Sequence, residues 1–259
     1  MVRPAADAND APHLPVLLDE VLHALEPVAG DTVLASLERL GVDVRLGADV
    51  RSARRDGDEV VLTVGTEELR ADQVLVATGR AANTGDLGLD TVGLTPGEYL
   101  DVDESMQVPG TDWLYAVGDV NHRQQLTHMG KYQARQAGNA IVARARGEQV
   151  DLADWSPYVA TADRLATPSV VFTDPPIGAV GMTAAQAADA GLPHRVVEYA
   201  IGNVAGAAVF ADGYTGTAVA VVDPEREVLL GVTFVGPGVA ELLHSATIAV
   251  VGELSLIHI

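Results

Sequence analysis

At 259 residues the chain has room for one large domain or two modest ones, and 48% hydrophobic residues with only 4% aromatics mean cores built from Ala, Val and Leu. A formal charge of −20 argues against nucleic acid and anionic membrane surfaces as partners, and no apolar run reaches the ~18 residues of a membrane span. The chain contains no cysteine, so it offers no thiol for dithiol–disulfide exchange.

Residues 1–15, rich in Ala, Pro, Asp and Asn, read as a disordered leader. They lack the basic-then-apolar order of a signal peptide, which leaves the cytoplasm as the expected location. Residues 16–25 have helix-like periodicity. Pro27 suits a first helical turn, and Val28, Val33, Leu34, Leu37 and Leu40 recur at helical spacing until Gly41 ends the helix. Residues 42–46 alternate as a strand, and residues 48–55, Asp56-Gly57 and residues 59–64 predict a hairpin. The apolar run of residues 74–77 stops at Thr78-Gly79, predicting a strand buried on both faces that ends in a tight turn. Residues 113–117 repeat that design and end at Gly118-Asp119. Ligands of open α/β sheets sit at the carboxyl ends of strands, so both endings are candidate sites, although either alone usually marks only a turn.

A polar loop over residues 120–125 leads into a helix opened by Leu126-Thr127-His128 and running to about Arg146, with Ala134, Ala137, Ala140, Ile141 and Ala145 as its packing face. Residues 148–157 read as a linker. A second module follows from Ala160: strands at residues 168–172 and 178–181, a helix capped by Thr183 and ended by Gly191, strands at 194–199, 217–222 and 228–235, and a final helix at 239–251. Val239, Leu242, Leu243, Ala246, Ala249 and Val250 give that helix an apolar stripe. Residues 254–259, LSLIHI, correspond to the translated end of a transposon used to build sequencing libraries and are expected to be adapter-derived.

Four stretches taken together carry a resemblance: QVLVATGR at 73–80, Gly88-Leu89-Asp90 through Val102-Asp103-Glu104, TDWLYAVGDV at 111–120, and VFTDPPIGAVGMTAAQA at 170–187. Over about residues 26–254 the chain resembles the FAD-dependent pyridine nucleotide-disulfide oxidoreductases, the family of dihydrolipoamide dehydrogenase, glutathione reductase and mercuric reductase. The resemblance implies an α/β plus α+β fold, with distal parts of FAD and NAD(P) Rossmann-like domains followed by an α+β dimerisation domain. In that arrangement residues 26–77 are the distal half of the NAD(P) domain, 78–150 a second FAD segment, 151–159 a linker and 160–253 the dimerisation domain. The family's G-x-G-x-x-G fingerprint does not occur upstream of the first helix, so the chain is expected to be the distal portion of a longer flavoprotein.

The same resemblance implies FAD and NAD(P)H as cofactors, a second copy of the chain as partner, and a small-molecule or dithiol/disulfide substrate. It places Asp119 on a ribitol hydroxyl of FAD, with Gly118 permitting the close approach. It places Gln125, Leu126, Thr127 and His128 at the helix start below the flavin, where unpaired N–H groups stabilise negative charge at the N1–C2=O edge. Gly79 falls where the family's turn approaches the nicotinamide cofactor, and Arg80 faces either a phosphate or a surface carboxylate. Gly236-Pro237-Gly238 imitates a dinucleotide fingerprint, but Glu241 occupies the third glycine position. Asp101, Asp103 and Glu104 read as a solvated strand edge and His244 as an interface or half-buried residue; the seven histidines have no metal spacing, so no metal is expected. No catalytic residue is assigned, since the family's His-Glu pair lies beyond the dimerisation helix. The expected function is hydride transfer between NAD(P)H and a second substrate through FAD, with this chain inactive alone. The alternative is a non-enzymatic dimerisation module with a relict flavin segment, and genomic sequence upstream of Met1 distinguishes the two.

Overall fold

The computed structural model describes residues 25–255; the leader, most of the periodic stretch at 16–25 and residues 256–259 lie outside them. Helix α1, Pro27–Arg39, starts on its proline and ends before Gly41, whose φ of +81° is one that glycine adopts without strain. Its Ala29 and Val33 are buried against Ile177 and Val235 of the second module. A three-stranded meander follows: β1 (Val50–Asp56), β2 (Glu59–Val64) and β3 (Glu67–Ala71), paired antiparallel in the order β1-β2-β3. Arg54 and Arg70 lace its surface to Asp56, Glu59 and Glu68. These pairs are open to solvent, so each contributes little.

Two expected strands do not form. Residues 42–46 are irregular, and residues 73–77 join neither sheet and lie exposed, Leu75 by 88%. An apolar run records that both faces of a strand suit burial, but among the described residues no element covers either face. Residues 113–117 are a shorter departure from expectation. Val108 N–H donates to Leu114 O and Ala116 N–H to Met106 O, so the segment folds back antiparallel on residues 106–108 instead of entering a parallel sheet. Ala116 is buried with Leu89, Leu100 and Val108, while Trp113 stays 63% exposed.

Helix α2, Thr127–Ala145, begins where the sequence places it. Its buried stripe is Met129, Gln133, Ala137, Ala140 and Ala143, so the packing face is rotated from the expected one and Ala134, Ile141 and Ala145 face out. A short helix, α3 (Ala162–Leu165), leads to a five-stranded antiparallel sheet in the order β4-β5-β8-β7-β6. The strands are β4 (Ser169–Val171), β5 (Ile177–Gly181), β6 (Arg195–Ala200), β7 (Thr217–Asp223) and β8 (Val228–Val235). Helix α4, Ala184–Asp189, carries a complete capping box between Thr183 and Gln186. Helix α5, Ala205–Phe210, has no counterpart in the sequence reading. The final helix is broken: a 3₁₀ turn at Val239–Glu241 precedes α6, Leu243–Val251. Side chains alternate along β5 and β8, so Val180 and Val232 meet α6 on one face while Ile177 and Val235 meet α1 on the other. No helix among the described residues is long and apolar enough to cross a membrane.

Candidate functional site

The site grows from one turn seated on one helix. Gly118 leaves the extended segment with φ +77° and opens the 3₁₀ turn Gly118–Asn121 that carries Asp119. Opposite it, a Cβ on Gly130 would lie 3.2 Å from the Gly118 Cα, so two glycines let the turn rest on the first turns of α2. Below this contact the Gln133 side chain is fully buried. Its Oε1 accepts from Gly118 N–H at 2.6 Å and from Asn121 Nδ2 at 3.0 Å, while its Nε2 donates to Asp163 Oδ2 at 2.9 Å. Asp163 is buried too, with Arg123 Nε 3.3 Å away and Oδ1 left without a partner. Burial pushes its carboxyl up to about 6, against the opposing pull of the Gln133 bond and of the Arg123 charge.

At the surface, Asp119 Oδ2 accepts from Arg80 Nη1 at 2.8 Å, and the same nitrogen donates to Gln125 O at 3.0 Å. Of the two roles open to Arg80, the structure shows the ion pair. Tyr99 completes the group: its hydroxyl donates to Arg80 O and accepts from Gln125 Nε2, and its ring stacks on His122 at 4.1 Å. A cleft of about 270 Å³ lies between residues 80–83, Tyr99, Asp119 and Gln125.

Gly118, Asp119 and Gln125 are therefore brought together. Leu126 precedes α2 and Thr127 opens it, with no side-chain cap and no acidic residue in the first turn, so its leading N–H groups have no intrahelical acceptor. His128 is directed elsewhere, its Nε2 2.8 Å from Pro168 O, tying α2 to the start of the second module. Gly79 is exposed, with φ +123°, and does not line the cleft. The acidic cluster differs from a solvated strand edge. Asp103 Oδ1 organises a turn by accepting from Ser105 N–H, Ser105 Oγ and Gln107 N–H, and Glu104 pairs with Arg123. Gly238 takes φ +74°, which strains any other residue, and a Cβ there would meet the tip of the exposed Phe210 ring at 2.8 Å; His244 is exposed. Sequence reading missed Tyr99, Gln133 and Asp163. Their partners are distant in the chain, and only the buried position of Gln133 on the α2 stripe leaves any periodic signal.

A sequence model of the pyridine nucleotide-disulphide oxidoreductases matches residues 7–143, and a second, of that family's dimerisation domain, matches residues 167–258. The chain belongs to this family. Similar proteins include the dihydrolipoyl dehydrogenase of Haloferax volcanii, 32% identical across 90% of this chain and 48% of the relative. The mercuric reductase of Shigella flexneri is 32% identical across 89% of this chain and 39% of the relative. Among solved structures, the HOCl-induced flavoprotein disulfide reductase RclA from Escherichia coli aligns with a TM-score of 0.73 at 25% identity, covering 90% of this chain and 51% of its own. LpdA from Mycobacterium tuberculosis aligns at 0.70 and 26% identity, covering 88% and 47%. The chain spans about half the length of the curated relatives it matches. The fold is that of the FAD- and NAD(P)H-using disulfide reductases, with Rossmann-like parts and a dimerisation domain. Two features present fit a flavin, an exposed carboxylate at Asp119 and an uncapped helix start, while the close approach at Gly118 is to Gly130 of α2.

Proposed function

We propose that this chain forms the flavin-turn and dimerisation portion of a homodimeric, cytoplasmic oxidoreductase that passes a hydride between NAD(P)H and a second small-molecule or dithiol/disulfide substrate. The observation that carries this reading is the seating of the Gly118–Asp119 turn on the start of α2, held from below by Gln133. FAD, when bound, supplies the two-electron chemistry between nicotinamide and substrate. The chain's own part is to bind and orient. Arg80 engages Asp119 Oδ2, and the exposed Asp119 carboxylate is the group that would accept a ribitol hydroxyl. A charge-assisted bond of that kind contributes about 1.5–3 kcal/mol. The leading N–H groups of α2 would offer the positive helix end to an anionic ring edge. His128 Nε2 lies 2.8 Å from Pro168 O and the residue does not line the cleft, so it is given no part in the chemistry. The 259 residues hold no thiol, so this chain by itself carries out no dithiol exchange, and turnover is proposed only for the full protein.

Anaerobic titration of the protein expressed from the complete reading frame tests the reading. The expected result is bound FAD whose visible absorbance bleaches on addition of NADH or NADPH. A protein that takes up no flavin, or a bound flavin that neither cofactor reduces, contradicts it.

A further inference from the structure

The Gly118 amide and the Asp163 carboxylate approach opposite ends of one buried amide, that of Gln133. A backbone N–H can only donate and an ionised carboxylate can only accept, so the amide has one permitted orientation: oxygen to Gly118 and Asn121, nitrogen to Asp163. Reversing it would set two donors and an acceptor pair against each other inside a site with little water to compensate. Asp163 thereby decides which end of Gln133 meets the turn, although it lies 30 residues along the chain from Gln133. The groups facing Asp163 are Arg123 and Arg164, which favour its charge, and Glu104, which opposes it.

We propose that Gln133 is the positioning residue of the flavin turn and that Asp163 orients it, so that this amide–carboxylate pair holds the Gly118 peptide, and with it Asp119, in the geometry that receives FAD. The proposal rests on the functional reading above, and adds two residues that do not touch the cleft themselves. It differs from a packing role in a way that chemistry exposes, because what matters is which partner donates and which accepts.

Exchanging the two groups is the test. Gln133→Glu alone keeps an acceptor for Gly118 N–H but places two carboxylates face to face. In the double variant Gln133→Glu/Asp163→Asn, the new carboxylate still accepts from Gly118 and its second oxygen accepts from the asparagine amide. Two quantities are read at pH 7.5: hydrogen exchange of the Gly118 amide in the 259-residue chain, and FAD affinity of the protein from the complete reading frame. The expected result is that Gln133→Glu speeds Gly118 exchange and weakens FAD at least about tenfold, while the double variant restores both to within about threefold. Exchange unchanged in Gln133→Glu, or a double variant no better than the single, overturns the proposal. If Gln133→Glu does not fold, the double variant decides alone: a folded protein with Gly118 protected supports the pair, and an unfolded one refutes it. Restored Gly118 protection without any effect on FAD in either variant would instead remove the flavin role of the turn, so the two readings fail separately.

Discussion

Replacing Asp163 by asparagine isolates the cost of a buried charge. The folded carboxyl titrates at about 6 against an ordinary 3.8, chiefly because burial disfavours its charged form. Between those values the folded state holds a proton that the unfolded state has released, so stability falls as pH rises through the window. The contribution is fully present below 3.8 and is lost as pH passes 6. A gap of that width corresponds to about 3 kcal/mol, and one pH unit below 6 already accounts for about 1.4 kcal/mol. Asparagine still accepts from Gln133 Nε2 but cannot ionise, so its stability is free of this slope. Carboxyls with depressed values, such as Asp56 with its two arginines and Asp223 with its backbone donors, slope the opposite way but are common to both proteins and cancel in the difference. Urea unfolding followed by circular dichroism, at pH values from 5 to 7.5, gives the comparison. Relative to Asp163→Asn, the unaltered chain is expected to lose about 1.4 kcal/mol over that range. Parallel curves would show that Asp163 is not titrating in a buried site.

Gly130→Ala gains helix propensity of about 1 kcal/mol but pushes a methyl against Gly118, so overall stability is expected to change by less than about 1 kcal/mol while FAD affinity falls; urea unfolding beside flavin titration separates the two, and unchanged affinity would show that the turn yields freely. The second module exposes the edge strand β6, with Val196, Val197 and Tyr199, together with Leu242, which caps α6, and Ile248 within α6. Obligate interfaces bury about 2,000 Å² or more, and self-association in the micromolar range is expected by sedimentation across a concentration series. A clean monomer at high micromolar concentration would place the interface elsewhere.

Local signals in the sequence were reliable where a single residue type had a single physical reason. Pro27 and Gly41 bracket α1, Asp56-Gly57 turns the β1–β2 hairpin, and Thr183 with Gln186 closes the cap of α4. The start of α2 and the whole of β8 followed in the same way. What the sequence concealed depended on partners far along the chain. The run at 74–77 specifies apolar faces without specifying what covers them. The inward face of α2 was misjudged because Gln133, a polar residue, occupies its middle, and its reason for being there is a turn 15 residues before it and a carboxylate 30 residues after. Asp119 stands out through the family resemblance, since its strand-and-turn pattern alone marks only a turn, and the sequence leaves its Arg80 partner, 39 residues away, open between two roles.

Whether Asp119 and its turn receive FAD is decided by titrating FAD into the protein from the complete reading frame and into its Asp119→Ala form, with flavin fluorescence as the signal. Removing one charge-assisted bond of about 1.5–3 kcal/mol is expected to weaken FAD about 10- to 150-fold, with sedimentation unchanged. Equal affinity of the two forms would contradict the assignment of the Gly118–Asp119 turn.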